Sequence, residues 1–260
     1  MVENAVGDGQ GPVRTDESAG RGKAALVVGA GDYLGSAIAR RFAREGHAVC
    51  VCRRNGDKLA PLVAEIEGVG GRIHAFGVDA RDEDQVADLF ARIEAEIAPL
   101  DAVIFNVGGN VQFGLRETTA RVYRKVWEMG CFAGFLTARE AMRHMAPRGR
   151  GTLLLTGATA SQRGSAGFSA FAAAKHGLRA LAESTAREFG PQGIHVAHIV
   201  IDGPIDTAFT RERFPEIYDT RPADGVLLPD DIAETYWQVH CQPRSAWTFK
   251  LDVRPWVEPW

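Results

Sequence analysis

Short apolar runs alternate with amphipathic segments along most of the chain. The runs cover residues 24–29, 48–52, 73–78, 102–105, 152–156 and 196–201. Several of them contain hardly any polar residue, as is typical of strands that are buried on both faces of a parallel sheet. A sheet with one exposed face would instead alternate apolar and polar positions. The pattern therefore predicts six buried parallel strands, and residues 247–253 predict a further strand at an edge.

The segments between these runs carry the spacing of amphipathic helices. Leu34, Ile38 and Phe42 fall on one helical face after the first run, and a second apolar face extends from Val86 to Ile93. Such a stripe is the face with which a surface helix packs onto a core. Because strands and helices alternate over six units, we expect an α/β fold, a Rossmann-like doubly wound parallel sheet with helices on both faces.

Composition predicts one globular domain behind a short tail. Residues 1–22 are rich in Gly, Asp, Glu and Ser and lack apolar periodicity, so we expect them to be disordered. Residues 23–260 contain neither a repeat nor a linker and are expected to form a single domain. The net charge is −3, there is no long basic run, and no segment is apolar enough to span a bilayer. We therefore expect neither nucleic acid nor a membrane as a partner.

The cysteines suit a reducing compartment. Cys50 and Cys52 lie two residues apart in a predicted strand, so they face the same side of it and are not expected to form a metal-binding pair. Together with Cys131 and Cys241 they are expected to be buried, reduced thiols. A cytoplasmic protein is the expectation that follows.

A glycine-rich turn follows the first predicted strand. It reads VVGAGDYLG over residues 27–35 and opens the first predicted helix. Glycines let the backbone turn tightly and approach a pyrophosphate, which the free N–H groups and the positive dipole end of the helix then hold. The candidate contacts in this turn are Gly29, Gly31, Tyr33, Leu34 and Gly35.

Two arginines, Arg53 and Arg54, end the second predicted strand. Dinucleotide-binding folds that prefer NAD place an acidic residue near this position, where it binds the ribose 2′-hydroxyl. An arginine instead offers a planar fork of donors to a 2′-phosphate. The pair therefore predicts NADP(H) as the cofactor.

From these motifs, residues 23–253 resemble the short-chain dehydrogenase/reductase family. Gly29 and Gly35 match the outer glycines of the family's TGxxxGxG motif, whereas Tyr33 stands at the middle one. Asn106 opens a segment similar to the family's NAG motif, and Asp202 replaces the proline of its PGxxxT segment. The resemblance implies further cofactor contacts from Asp79, Ala80, Asn106, Val107, Gly108, Lys175, Gly203, Ile205 and Thr207.

The family's reaction centre is altered in this chain. Members of the family reduce a carbonyl group with a Tyr-xxx-Lys pair, helped by a serine and an asparagine. The tyrosine donates a proton, while the lysine lowers the pKa of the tyrosine and holds the nicotinamide ribose. Lys175 keeps the lysine position, but Phe171 stands at the tyrosine. Ala158 and Cys131 occupy the serine and asparagine positions.

Phenylalanine cannot donate a proton, and the loss of a general acid lowers a rate by about 10²- to 10⁴-fold. A substitute donor is therefore expected near Lys175 and Phe171. Asp202 is one candidate, because a carboxyl group in an apolar cleft can have a raised pKa and act as an acid. The other candidates are Thr159, Ser161, Ser169 and Cys131.

Three functions remain open on this basis. The leading interpretation is an NADPH-dependent oxidoreductase with a non-standard active site, acting on a small organic substrate that arrives already activated, such as an iminium ion or a conjugated enone. An NADP(H)-binding pseudoenzyme or regulator is the second. The third is a non-redox enzyme, such as an isomerase, a cyclase or a lyase, that reuses the same cavity.

The C-terminal third adds a specificity segment and a contact surface. Residues 207–228 correspond to the family's lid over the substrate, so they are expected to set specificity. Trp256 and Trp260 lie in a proline-bearing tail, which predicts burial against a neighbouring subunit or against the same chain. Members of the family are commonly dimers or tetramers, and the resemblance implies a homodimer or homotetramer.

Overall fold

The structure is a computed structural model that describes residues 22–259. Trp260 and all but the last residue of the expected N-terminal tail lie outside the described residues. Within that range one sheet of seven strands has the order β3-β2-β1-β4-β5-β6-β7, with every neighbouring pair parallel. The strands are β1 (Ala24–Val28), β2 (Ala48–Arg53), β3 (Arg72–Gly77), β4 (Leu100–Phe105), β5 (Gly151–Ala158), β6 (Ile194–Ile201) and β7 (Lys250–Val253).

Nine α-helices of the described region connect and flank these strands. They are α1 (Leu34–Arg44), α2 (Ala60–Gly68), α3 (Glu83–Arg92), α4 (Ala120–Trp127), α5 (Ala133–Met145), α6 (Ser169–Phe189), α7 (Ala208–Arg213), α8 (Pro215–Thr220) and α9 (Pro229–His240). One π-helical turn, Ile93–Ile97, extends α3, and another, Glu128–Phe132, joins α4 to α5. The helices alternate with the strands as the apolar pattern predicts.

Each face of the sheet is covered by its own helix layer. On one face, α3, α5 and α6 bury Phe90, Leu136 and Leu178 against the strands. On the other, α1, α2 and α9 pack with Phe42 and Tyr236 fully buried. The strands β1 and β6 are buried at every position, which explains their unbroken apolar runs. The expected doubly wound α/β fold is confirmed.

The strand order determines where a ligand can bind. The chain builds β1, β2 and β3 towards one edge and then returns to place β4 on the other side of β1. The connections that leave β1 and β4 therefore run in opposite directions and open a crevice at the carboxyl ends of these two strands.

The first six observed strands begin and end within two residues of the predicted runs. The added residues include Asp101 in β4 and Gly157 in β5, which an apolar pattern does not mark. Gly157 is in strand conformation because it pairs with Val200 between β5 and β6, whereas Asp101 lies at an irregularity in the register of β1 and β4. The C-terminal edge strand is also present, but β7 is shorter than its predicted run.

The thiols differ in their surroundings. Cys50 and Cys52 are buried and free, as expected. The expectation of burial is wrong for Cys241, which is exposed at the end of α9, where the chain leaves the core, and Cys131 is only partly buried. None of the described helices is long and apolar enough to cross a membrane.

Candidate active site

A crevice of 670 Å³ opens at the carboxyl ends of β1, β2, β3 and β4. The turns that follow these strands supply its walls. It is lined by twelve of the residues that the sequence assigns to the cofactor: Gly29, Gly31, Tyr33, Leu34, Gly35, Arg53, Arg54, Asp79, Ala80, Asn106, Val107 and Gly108. Four segments that are distant in sequence therefore meet in one groove.

The glycine turn has the backbone that a pyrophosphate site needs. Gly29 has a φ angle of 89°, and a Cβ atom there would lie 2.8 Å from the carbonyl oxygen of Asn106. A Cβ atom on Gly35 would lie 2.6 Å from the carbonyl oxygen of Gly29, whereas no described heavy atom lies within 4 Å of that position on Gly31. The helix α1 begins without a side-chain cap or an acidic residue in its first turn. Its orphan N–H groups and positive dipole end therefore fit an anionic group.

Tyr33, at the position of the family's middle glycine, connects this turn to the C-terminal third of the chain. Its hydroxyl oxygen accepts a hydrogen bond of 2.9 Å from the backbone N–H of Ala208, the first residue of α7. The ring is 38% exposed, so it borders the crevice without filling the core. The substitution thus adds a contact between the turn and the α7–α8 segment.

The two arginines after β2 have different surroundings. Arg53 donates a hydrogen bond of 2.6 Å to the carboxylate of Asp32 in the glycine turn. Arg54 lines the crevice together with Lys58, a third cation that was not predicted from the sequence. The signal for Lys58 was weak, because it lies in a short 3-10 turn, Gly56–Leu59, that the apolar pattern does not predict. This end of the crevice is strongly cationic.

Asp79, at the end of β3, is held by Arg81. The guanidinium group donates two hydrogen bonds to the carboxylate, of 2.9 and 2.5 Å, and the backbone N–H of Arg81 donates a third of 3.1 Å. Hydrogen bonding to Arg81 lowers the pKa of Asp79 below its ordinary value. The carboxylate is therefore ionised and oriented at the wall of the crevice.

A second cavity, of 610 Å³, adjoins the crevice. The two share Leu34, Asn106, Val107 and Gly108, so they form one continuous groove. The other predicted cofactor-binding residues line this second cavity: Lys175, Gly203, Ile205 and Thr207. Its outer wall comes from Phe209, Phe214 and Ile217 of the α7–α8 segment, which lies where a specificity segment is expected.

Lys175 lies in α6 at the floor of the second cavity and is 3% exposed. Its ammonium group donates hydrogen bonds to the carbonyl oxygens of Thr156, at 2.8 Å, and of Val107, at 3.4 Å. Burial lowers the pKa of Lys175 to about 8. An ammonium group has three N–H donors, so one remains for a group in the cavity.

The residues at the family's other catalytic positions bring no acid to this lysine. Phe171 lines the cavity one helical turn before Lys175, with the ammonium nitrogen 5.9 Å from its ring centre. Ala158 also lines the cavity and offers only a methyl group. Cys131 lines neither cavity, because its sulfur packs against Gly177 of α6, where a Cβ atom would lie 2.7 Å away. The three side chains that the resemblance assigns to these positions therefore offer no phenol, hydroxyl or amide group.

Of the substitute donors proposed from sequence, Thr159 alone lines the cavity. Ser161 is fully buried and accepts a hydrogen bond from the backbone N–H of Ala158. Ser169 has a buried hydroxyl group that does not reach either cavity. The hydroxyl of Thr159 donates to the carboxylate of Asp202. It therefore presents lone pairs rather than its proton to the cavity.

The expectation of a raised pKa for Asp202 is wrong. Burial alone would raise it, but the hydroxyl of Thr159 and the guanidinium group of Arg254 bind the carboxylate and lower its pKa. The side chains of Asp202 and Arg254 are 6% and 12% exposed, so the ion pair is buried. Arg254 follows β7, and its approach to Asp202 was not visible in the sequence. Asp202 is therefore an ionised carboxylate, and its ion pair with Arg254 ties the segment after β7 to the end of β6.

Several lining residues were not identified from sequence. In the second cavity these are Asn110, Arg163, Ser165 and Phe168, which belong to loops beyond β4 and β5. Loop residues carry no periodicity, so nothing in the pattern marked them. The expected burial of the tail against its own chain is wrong for Trp256, whereas burial against a neighbouring subunit stays a prediction and Trp260 lies outside the described residues. Trp256 is 73% exposed in the chain, with its indole N–H donating to the carbonyl oxygen of Ala223.

Comparison with known proteins agrees with this geometry. The profile of the family described as short chain dehydrogenase matches residues 23–217. A short-chain dehydrogenase/reductase of Armillaria gallica is 32% identical over 231 residues, which cover 83% of this chain and 88% of that protein. The crystal structure of a short-chain dehydrogenase from Rhodopseudomonas palustris is 50% identical, with a TM-score of 0.78, and the match covers 90% of this chain and 99% of that one.

A third similarity concerns the fold. A metagenomic short-chain oxidoreductase, solved in complex with NADP, superposes with a TM-score of 0.76 at 23% identity over 90% of this chain and 96% of that one. The profile match extends from the start of the sheet through the glycine turn and Lys175 into α8. The chain therefore belongs to the short-chain dehydrogenase family and is an oxidoreductase of that type.

Proposed function

We propose that the protein is an NADPH-dependent reductase of small, electron-poor organic molecules, with conjugated carbonyl compounds as the substrate class. The observation that carries this proposal is the pairing of a complete dinucleotide crevice with a cavity whose general acid is replaced by Phe171. Bound NADPH would supply a hydride, and the chain's residues would bind, orient and polarise the acceptor.

The crevice supports a dinucleotide with a 2′-phosphate. The glycine turn and the start of α1 suit the pyrophosphate, and Gly31 leaves room beside the backbone. Arg54 and Lys58 would meet the 2′-phosphate, since Arg53 is paired with Asp32. An arginine fork binds phosphate through two parallel hydrogen bonds, which an NAD ribose hydroxyl does not offer. These groups favour NADP(H) over NAD(H).

The lost acid restricts the acceptor. Reduction of a simple ketone forms a strongly basic alkoxide, which needs a proton donor as it develops. Addition of hydride to the β-carbon of an enone forms a delocalised enolate, which is far less basic and can take its proton from water. The positive charge of Lys175 at the floor can stabilise the developing negative charge, while its remaining N–H is available to the cofactor. Conjugated carbonyl compounds therefore match this cavity better than simple ketones do.

Electrostatics decides between an enone and an iminium ion. Lys175 and Arg163 are the charged side chains that line the cavity within the described residues, and both are cationic. Asp202, which precedes the lining residue Gly203, is paired with Arg254. A cationic iminium ion would be repelled, whereas a neutral acceptor that becomes negative during the reaction would be stabilised. The sequence left both substrates open, and the charges favour the enone.

The test is NADPH oxidation, followed at 340 nm, with cyclohexenone, cyclohexanone and a cyclic imine as substrates. We expect turnover with cyclohexenone and a rate at least about 10² lower with cyclohexanone, because the general acid is absent. Calorimetric titration with NADPH and NADH measures cofactor binding separately. Uptake of neither cofactor would overturn the cofactor assignment.

A non-catalytic role is the second candidate, favoured by the joint replacement at Phe171, Ala158 and Cys131. A protein that only senses NADP(H) needs the crevice and not the acid. Tight NADPH binding without oxidation by any substrate of the panel would support this role, or a non-redox use of the cavity, and would contradict the reductase proposal.

We also propose assembly into a homodimer or homotetramer in the cytoplasm. The support is an exposed aromatic side chain, Phe135, beside a groove of 420 Å³ between α5 and α6 that is lined by Met142, Leu181 and Phe189. Large exposed apolar side chains at such a groove are typical of contact surfaces. Sedimentation analysis of the wild type and of Phe135→Glu tests this, with dissociation expected in the variant.

A further inference from the structure

The second cavity has an uneven charge distribution. Its lining contains two basic side chains, Lys175 and Arg163, and no acidic side chain within the described residues. The nearby carboxylate of Asp202 is bound by Arg254 and Thr159 and does not line the cavity. The field inside the cavity is therefore positive at two separate points, at the floor and at the mouth.

The positive group at the mouth is Arg163. It lies in the loop after β5, with its backbone N–H bonded to the carbonyl oxygen of Thr159, and its side chain is exposed where it borders the cavity. No carboxylate of residues 22–259 forms an ion pair with its guanidinium group, whereas Arg254, close by, is paired with Asp202. Burial alone would raise the pKa of Asp202, and after Thr159 and Arg254 the charge of Arg163 also helps to lower it. The guanidinium group of Arg163 forms no direct ion pair in the described region and borders the cavity.

Between the two cations the walls are apolar. Phe168, Phe171, Phe209 and Phe214 line the cavity, and Asn110 and Ser165 add neutral polar groups to its lining. A volume of 610 Å³ accommodates a bicyclic molecule. Apolar walls with one cationic fork at the entrance fit a ligand with a flat apolar body and an anionic end.

We infer that the substrate is an aromatic or unsaturated carbonyl compound that carries a carboxylate, and that Arg163 binds this carboxylate at the mouth of the cavity. The inference rests on the proposed function for the reaction, but the anion site itself depends only on the cavity. The reacting carbon lies at the floor, near Lys175, and the carboxylate lies at the opposite, solvent-facing end. Arg163 is then a specificity-determining residue that touches the non-reacting part of the substrate.

Because the carboxylate end meets an exposed guanidinium group, salt screens the contact and its contribution is moderate. We expect about a tenfold preference for an anionic ligand over a neutral one of the same shape at low salt, equivalent to a single charge-assisted hydrogen-bonded contact. The preference should shrink as ionic strength rises.

The test is calorimetric titration with 2-naphthoate and with 2-naphthamide, which share a shape and differ in charge. Both are added to the NADP⁺-saturated protein and to the protein alone. We expect 2-naphthoate to bind about tenfold more tightly than the amide to the wild type. Arg163→Ala should abolish the preference, and Arg163→Lys should keep part of it, since lysine retains the charge but not the fork.

Arg187→Ala is the matched control. It also removes an exposed arginine, but Arg187 lies near the far end of α6, about 27 Å from the start of that helix, which is the end closer in sequence to Arg163. The preference should survive this change. Equal binding of both probes to the wild type, or equal loss in Arg163→Ala and Arg187→Ala, would overturn the inference.

The variant Lys175→Met distinguishes the contribution of Lys175 to anion binding from that of Arg163. If the preference disappears in Lys175→Met and persists in Arg163→Ala, the anion binds at the floor and Arg163 has no such role. A preference for 2-naphthoate in a protein that fails to oxidise NADPH would leave the anion site standing and overturn the proposed function alone. The two proposals can therefore fail independently.

Discussion

The ammonium nitrogen of Lys175 lies 5.9 Å from the ring centre of Phe171, one turn away on the same helix. At this distance the ring still contacts the cation through its face. A phenol at Phe171 would place an acidic O–H group beside this lysine, in the cavity that both residues line. On the proposed function, the pair therefore has the spacing for acid catalysis without the acid.

Restoring that acid should create ketone reduction. We expect Phe171→Tyr to raise the rate with cyclohexanone by about 10²-fold, the lower end of what a general acid contributes, because Ala158 still lacks the partner hydroxyl. The double variant Phe171→Tyr and Ala158→Ser should be faster. Phe168→Tyr, in the same cavity, is the control. A gain no larger than that of Phe168→Tyr would contradict the proposed role of position 171.

Removing Arg54 should change the choice of cofactor. We expect Arg54→Ala to weaken NADPH binding by about tenfold or more, the value of one charge-assisted contact, while NADH binding changes little. The exposed Arg44→Ala, at the end of α1, removes the same charge away from the crevice. Calorimetry with both cofactors measures the ratio. An equal loss for NADPH and NADH would show that Arg54 does not distinguish them.

NADPH affinity should depend on the charge of Lys175. Burial lowers the pKa of this lysine to about 8 in the free protein. Below that pH the ammonium group is present and binds acceptor oxygens, and above it the amine is neutral. Affinity should therefore fall as the pH rises through about 8. Lys175→Met should bind more weakly and lose this pH dependence, and a dependence that survives in the variant would assign it to another group.

Asp101 should stabilise the fold above acidic pH. Burial alone would raise the pKa of Asp101, but hydrogen bonds from His240, His47 and Lys23 hold it well below its ordinary value. The folded pKa is lowered, so this stabilisation is complete above the unfolded value of about 3.9 and is lost as the pH falls below it. Asp101→Asn should lower the free energy of unfolding at pH 7.

Urea unfolding between pH 7 and pH 3 measures this effect. We expect the free energy of unfolding of Asp101→Asn to be about 1–3 kcal/mol lower than that of the wild type at pH 7, since several hydrogen bonds to a charged group are weakened. The difference should narrow as the pH approaches 3. Asp88→Asn, at an exposed position in α3, is the control and should change little. A difference that is independent of pH would contradict the lowered pKa.

Asp202 should contribute to stability rather than to proton transfer. Because Arg254 and Thr159 hold its pKa below the ordinary value, Asp202 is ionised at neutral pH and has no proton to donate. We expect Asp202→Asn to lower the melting temperature and to leave turnover of cyclohexenone within a few-fold of the wild type. A loss of about 10² or more would restore this residue as the proton donor.

Much of the fold was predictable because it follows from local patterns. The unbroken apolar runs of β1 and β6 require burial on both faces, and the stripe of Leu34, Ile38 and Phe42 requires a helix packed on the sheet. The glycine turn was also recognisable, since the positive φ of Gly29 is a local backbone requirement. The glycine turn is thus one part of the crevice whose residues are consecutive in the sequence.

The charges of the site depend on partners that are distant in sequence. The pKa of Asp202 is low partly because Arg254, 52 residues later, donates a hydrogen bond to its carboxylate. Thr159 donates its hydroxyl proton to the same carboxylate, so that proton does not face the cavity. Tyr33 meets the N–H of Ala208 across 175 residues. Hydrogen bonds and ion pairs act over a few ångströms in space, and no pattern along the chain records which residues folding brings that close. Sequence therefore determined the sheet and the glycine turn and predicted a phenylalanine in place of the acid, whereas tertiary structure decided which groups remain charged and which face the cavity.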